Sequence, residues 1–467
     1  MRRLLLPALL VAVAVVAGVL AARSVPASSG APSRPGPPVA APVLTVRRVP
    51  VLLATPIGDR RLRAGLEALV DRLPQPSCLE VSEGGRHLFE SAPVVSVIPA
   101  STLKLVTAAT VLTHLRATDT LRTTVRAGTA VVDGVLPGDL WLVGGGDPLL
   151  GTQAWAATTV GGAAIHTPME ALADQVVAAG VRSVRGRVVG DESRYDALRV
   201  VPSWPASYRT QVGPLSALTV NDGYQSEGAR APFPDPPTGA AGVLTTLLRE
   251  RGVEVIGEPS AGTVPLEVPT EIAAVDSPTV LELVGQMLRE SDNGTAELLL
   301  KEVGLRSAGD GSTAAGAAAA EATLTDLGLP MAGVDVVDGS GLDRSNTVTC
   351  ALLHDLLVHV ESGGQVEDGL AVAGTSGTLS QRFLDSPVSG RLRAKTGTLN
   401  EVAGLAGYAD TSNGGEITFA LVLNGLGVPA DPTPFQSELA ELLVAHPDVP
   451  AIEDLGPRAW PGLAPAG

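Results

Sequence analysis

Lysine is almost missing: of the 33 basic residues only Lys104, Lys301 and Lys395 are lysines, and arginine fills every other place. Aromatic residues make up 3% of the 467 positions, so a core drawn from the 45% hydrophobic fraction has to be aliphatic and alanine-rich. Positive charge is also short, with 49 acids against 33 bases and a net charge of −16. That balance, with no basic patch, opposes nucleic acid as a partner, because phosphate contacts need clustered Arg and Lys. Only Cys78 and Cys350 occur, which allows one bridge or two separate buried thiols. The six histidines contain no His-x-x-x-His pair, and His354 and His359 fall on different helix faces, so neither a metal nor a cofactor is expected.

What is present begins with Arg2-Arg3, an uncharged apolar run over residues 4–22, and Arg23. The run suits either a cleaved signal peptide (1–23) or an N-terminal membrane anchor, and both imply export to the cell envelope. Residues 24–45 hold a spacer dense in Pro, Ser, Ala and Gly, expected to be extended. Helical spacing is read over Arg60–Leu73 and strands around Gly84-Gly85. From about Leu121 to Asp276 the texture changes to short strands and glycine turns, with helices over Met169–Ala179 and Thr245–Arg251 and a strand over Arg185–Val189. Helices return over Pro278–Arg289, Thr295–Val303, Ala314–Leu327 and Ala351–Val360. Strands follow over Arg391–Thr398, Val402–Ala409 and Ile417–Leu423, then a helix over Phe435–Ala445 and a loose tail over 456–467. The layout is α+β: helices on an antiparallel sheet (46–120 and 277–455), interrupted by an inserted lobe (121–276).

Two of the three lysines sit in short motifs. Ser101-x-x-Lys104 follows Pro99 at the start of an apolar helix, with Ser101 placed to cap it, and a spacing of three puts both side chains on one face. A serine is a poor nucleophile until something takes its proton, and a lysine does so only when neutral, which burial favours. Arginine could not replace it, since it stays protonated. Ser291-Asp292-Asn293 lies between two helices, and Lys395-Thr396-Gly397-Thr398 on a strand. In this reading Ser101 attacks an acyl carbon and Lys104 accepts its proton. Ser291 and Lys395 return a proton to the leaving group, and Asn293 holds a peptide carbonyl. Lys395, Thr396 and Thr398 meet a substrate carboxylate, Gly397 leaves room for a peptide, and the N–H groups of Ser101 and Thr398 form an oxyanion hole. Lys301, away from these motifs, is expected to be a solvated helix residue.

The ordered trio resembles that of penicillin-binding proteins and class A β-lactamases. With Ala296-Glu297, Val337-Asp338-Gly339-Ser340-Gly341-Leu342 and Gly374-x-x-Gly377-Thr378-Leu379, the chain resembles the class C low-molecular-mass penicillin-binding proteins. These are D-alanyl-D-alanine carboxypeptidases with endopeptidase activity. The long interval between Lys104 and Ser291 fits that family, in which a lobe interrupts a serine transpeptidase/β-lactamase-like domain. Gly145-Gly146-Asp147-Pro148-Leu149 and Val212-Gly213-Pro214-Leu215-Ser216 are similar to its segments. The resemblance implies that Asp147 binds the free amine of a diaminopimelate side chain, where the local alternative is an Asp-Pro turn. It implies that Arg344 contacts the peptide, although Asp343 stands where relatives carry serine. Peptidoglycan stem peptides as substrate, β-lactams as covalent inhibitors and membrane contact only through the N-terminal segment follow from it. A β-lactamase or related esterase using the same trio, and a non-catalytic wall-binding scaffold, are the rival readings.

Overall fold

The computed structural model describes residues 49–158, 165–225, 231–267, 270–361, 364–427 and 431–449. The apolar run at 4–22, the Pro-rich spacer and the expected loose tail lie outside these residues. Among the described residues no helix is long and apolar enough to cross a membrane.

Helix α1 (Val49–Val70) buries Leu62, Leu66 and Leu69, which recur at helical spacing. The hairpin β1 (Ser77–Glu83) and β2 (Arg86–Ser91) follows, turned at Gly84-Gly85 with positive φ at both glycines. A single 3-10 turn over Ala100–Leu103 then leads into α2 (Lys104–His114), which is buried from Lys104 to Val111.

The next segment carries its own sheet: β3 (Arg122–Ala127), β4 (Leu140–Val143), β5 (Val188–Asp191), β6 (Ser260–Ala261) and β7 (Thr270–Asp276), in the order β6-β5-β4-β3-β7. Helices α3 (Met169–Ala178) and α4 (Pro236–Glu250) cover it, and its aliphatic core runs from Val125 to Val275. First and last strands are antiparallel neighbours, with Arg122 opposite Asp276 and their side chains 3.0 Å apart. The chain therefore leaves and returns at one point. On that basis we propose 121–276 as an insertion within the single compact unit Leu52–Asp454. Two expectations need correction here. Helix α4 begins earlier than Thr245, at tandem prolines whose missing N–H groups fall harmlessly in the first turn. The strand expected over Arg185–Val189 is two strands: Ser183–Val184 joins a small parallel sheet with Val135–Leu136 and Glu254–Val255, and Val188–Asp191 joins the larger one.

Helices α5 (Val280–Glu290), α6 (Asn293–Ala308), α7 (Thr313–Asp326) and α8 (Cys350–Glu361) come next. Strands β8 (Ala371–Val372), β9 (Leu392–Leu399), β10 (Val402–Asp410) and β11 (Glu416–Asn424), and helix α9 (Thr433–Ala445), complete the chain. The large sheet is ordered β8-β9-β10-β11-β1-β2 and is antiparallel throughout, as an α+β layout requires. It is covered on both faces, which is why Ile417–Leu423 reads as an unbroken apolar run. Ala420 and Val422 face the cluster that holds α2, α5, α6 and α8, while Phe419, Leu421 and Leu423 face α1 and α9. Cys78 and Cys350 are bonded, tying β1 to the first residue of α8.

Lys301 is not solvated. It is 1% exposed, and its Nζ lies 2.6 Å from Asp196 Oδ1 of the inserted lobe. Next to it, fully buried Glu302 accepts from Arg194, Arg306 and Tyr195. Helix α6 is packed on all sides, so its polar residues have to find partners inside rather than in water.

Candidate active site

The site assembles where α2, the α5–α6 junction and β9 meet. Ser101 lies in the 3-10 turn and caps nothing; its hydroxyl faces Lys104 instead, with Nζ 3.1 Å from Oγ. The same Nζ donates to Asn293 Oδ1 at 2.7 Å and to the Ser340 carbonyl at 2.8 Å. A neutral amine has two N–H bonds and one lone pair. With Asn293 and Ser340 taking the two hydrogens, the lone pair is left for the Ser101 hydroxyl. Burial pushes Lys104 down to about 8, against the opposing pull of Asp338, Glu297 and Asp292.

Glycine-rich backbone holds these groups in place. Strand β9 lies so close to the Ser101 turn that a Cβ on Gly397 would sit 2.9 Å from the Pro99 carbonyl and 3.2 Å from the Ser101 nitrogen. Gly341, at φ +80, packs against the same turn, where a Cβ would be 1.9 Å from the Ala100 oxygen. The Ser340 carbonyl is aimed by two buried carboxylates. Glu297 Oε1 accepts from the Gly339 and Ser340 N–H groups at 3.0 and 2.8 Å. Asp338 accepts from Gly341 N–H, Asp343 N–H, the Asn346 amide and the Trp204 indole. Burial raises both carboxyl groups, Glu297 further because Asp338 is beside it. The sequence motifs contain Glu297, Asp338 and Ser340, but no role for them could be read without knowing which backbone they hold.

The other expected residues divide. Ser291 closes α5 in a left-handed conformation, and Asp292 caps α6 by accepting from Thr295 N–H. Lys395 is fully buried, and burial together with the Lys104 charge pushes it well below the usual lysine range. Its Nζ donates to the Thr396 carbonyl at 2.8 Å, and the Thr396 hydroxyl meets Thr378 at 2.9 Å, a partner with no role assigned from sequence. Thr398 is exposed on β9. Past Ala394 the outer edge of β9 has no strand beside it among the described residues, since β8 reaches only Arg393 and Ala394.

A cavity of about 410 Å³ opens between the lobe and the α5–α6 junction, lined by Ser291, Asn293, Gln211, Val212, Pro214 and Leu149 among others. Asn293 Nδ2 donates to the Gln211 carbonyl at 3.1 Å, so the lobe touches the site directly. Asp147 does not line this cavity. It is 2% exposed, its Oδ1 accepts from Leu149 N–H in an Asx turn, and burial pushes it up to about 6. Arg344 is exposed and donates to the Asn400 carbonyl at the β9–β10 turn. Asp343, in the place of the relatives' serine, is buried and accepts from Ser203 of the lobe.

The model of the D-Ala-D-Ala carboxypeptidase 3 (S13) family matches residues 80–232 and 229–445. The chain belongs to that family. It is 33% identical over 448 residues to carboxypeptidase DacB of Mycolicibacterium smegmatis, covering 90% of this chain and 91% of that protein. It is 30% identical over 446 residues to the D-alanyl-D-alanine carboxypeptidase of an Actinomadura species, covering 78% and 79%. The crystal structure of penicillin-binding protein 4 from Haemophilus influenzae shares the fold, with a TM-score of 0.68 at 19% identity, over 80% of this chain and 98% of that one. Family membership and the Ser101–Lys104–Asn293 geometry thus fall on the same residues of the S13 chain.

Proposed function

We propose that this protein is a serine-type D-alanyl-D-alanine carboxypeptidase of the cell envelope, acting on peptidoglycan stem peptides through an acyl-enzyme on Ser101. The observation that carries it is the Lys104 amine, buried 3.1 Å from Ser101 Oγ and bonded to two further acceptors, so that in its neutral form the lone pair is turned to the Ser101 hydroxyl. A stem peptide lies along the open edge of β9, where Gly397 keeps the strand flat against the Ser101 turn. Ser101 Oγ attacks the penultimate D-Ala carbonyl as its proton passes to Lys104. The N–H groups of Ser101 and Thr398 receive the oxyanion. The proton then reaches the departing D-Ala nitrogen by way of Ser291 and Lys395, and water releases the acyl group. The substrate's terminal carboxylate, beside Lys395, Thr396 and Thr398, favours the charged form of Lys395.

β-Lactams present an acyl group with a nearby carboxylate and acylate the same serine. Rapid deacylation, as in a class A β-lactamase, needs a carboxylate aimed at water. Among the buried acidic groups beside Lys104, Glu297 through Oε1 and Asp338 through both oxygens accept from the backbone N–H groups of the 339–343 loop. The N-terminal segment is the one point of membrane contact in this reading.

Incubation with stem pentapeptide and with cross-linked dimer, followed by mass analysis, tests the proposal. Loss of one alanine from the pentapeptide is expected, and cleavage of the dimer reports endopeptidase activity. A labelled penicillin that still attached to a Ser101→Ala variant would overturn the assignment.

A further inference from the structure

Toward the far edge of the large sheet, where β1 and β2 lie, five side chains with metal-binding chemistry converge around Glu80. Glu80 comes from β1, His87 and Glu90 from β2, and His354 and Asp355 from α8. Donor atoms of Glu80, His87 and Glu90 lie within 4.8 Å of one another, and so do those of Glu80, His354 and Asp355. None of the five takes part in the chemistry above. In the sheet order β1 stands three strands from β9, about 14 Å at ordinary strand spacing.

Several observations make this more than a patch of surface charge. Glu80 and Glu90 sit directly opposite each other across the β1–β2 ladder, where like charges repel. Glu80 is only 9% exposed, and its Oε2 is buried without a hydrogen-bond partner. A buried carboxylate oxygen facing further carboxylates is costly unless it takes up a proton or a cation sits among them. His354 Nδ1 lies 3.1 Å from Asp355 Oδ1 and 3.6 Å from Glu80 Oε1, and His87 Nε2 lies 3.2 Å from Glu90 Oε2. Ligand bonds of about 2.0–2.1 Å put neighbouring donors of a five-coordinate shell roughly 2.9–3.6 Å apart, the range in which these separations fall. His354 Nε2 is 2.7 Å from Ser82 Oγ; as its donor it would leave Nδ1 unprotonated and turned toward Glu80.

We propose that this cluster is a zinc-type divalent cation site, with buried Glu80 and His354 at its base and half-exposed Asp355, His87 and Glu90 closing the solvent side. Mixed imidazole and carboxylate donors favour such a cation over magnesium or calcium, which take oxygen alone. The ion would fasten the β1–β2 hairpin to α8, the same two parts that the Cys78–Cys350 bond joins. Its role is structural, and His-spacing rules miss it because they examine one element at a time.

The test is calorimetric titration of the untagged full chain with zinc chloride, with melting curves at rising zinc concentration. One zinc per chain and a melting temperature that climbs with zinc are expected. Glu80→Gln and His354→Gln should each weaken binding at least about tenfold. His87→Ala changes a half-exposed residue that the fold can spare and should weaken binding too, which keeps the proposal testable if a buried variant fails to fold. Absence of saturable binding, or binding unchanged in all three variants, would overturn it. D-Ala release should be indifferent to zinc and to chelator; a chelator that abolished it would overturn the structural role.

Discussion

Replacing Asp292 by asparagine isolates the electrostatic state of Lys104 from its geometry. The carboxylate caps α6 through Oδ1, while Oδ2 accepts from the Thr295 hydroxyl at 3.0 Å and the Gln286 amide at 2.9 Å. Asparagine caps as well as aspartate, and Gln286 has a buried oxygen without a partner. Turning that amide over presents the oxygen to the new NH2 group, so Asp292→Asn leaves the fold intact. It removes the pull of one of the three acidic groups, Asp338, Glu297 and Asp292, that oppose the lowering of Lys104 to about 8. One partly screened charge at an effective dielectric of about 20 is worth on the order of half a pKa unit, about 0.7 kcal/mol. The neutral fraction of Lys104 at pH 7 then rises from about a tenth to about a quarter, and acylation there speeds up about 2.5-fold. The assay is the rate of covalent labelling by a fluorescent penicillin across pH. In the unaltered protein this rate should climb with pH and level off above about 8, and in the variant the climb should move to lower pH. A flat profile, a shift upward, or full activity in Lys104→Arg, which cannot shed its proton, would refute the neutral-amine argument.

Three further perturbations probe other parts of the molecule. Gly397→Ala puts a methyl group 2.9 Å from the Pro99 carbonyl, forces β9 off the Ser101 turn, and should slow penicillin acylation about 100-fold with little change in melting temperature. Lys301→Met leaves Asp196 facing the buried end of α6 without its cation; urea unfolding should show a loss of about 3 kcal/mol, the low end for a broken buried pair because Asp196 keeps some solvent. Asp147 is raised in the folded state from 3.8 to about 6, so it binds its proton more tightly folded than unfolded. Its contribution is whole below 3.8 and is lost as pH rises through about 6. Unfolding measured against pH should show Asp147→Asn gaining on the unaltered protein by up to about 3 kcal/mol across that window. An unchanging difference between the two would contradict the burial of that carboxyl group as the cause of its shift.

The sequence by itself determined the elements and the chemical parts. Apolar spacing is a local property, so α2, the helices from Val280 to Glu361 and the run of strands from Leu392 to Asn424 were legible within a few residues. The scarcity of lysine singled out Lys104 and Lys395, because a chain that otherwise uses arginine keeps lysine where an amine able to lose its proton is wanted. Burial and partnership belong to the tertiary structure, since both depend on what arrives from distant parts of the chain. Packing of the lobe segment against α6 turned Lys301 from a surface residue into a buried ion pair with Asp196. Glu297 and Asp338 acquired a purpose only when the loop over 339–341 was seen to rest on them and to aim the Ser340 carbonyl at Lys104. The Cys78–Cys350 bond and the cluster around Glu80 join β1 to α8 across an interval of 272 residues. No local pattern spans that distance; only the closing of the antiparallel sheet by β1 brings those side chains within reach of one another.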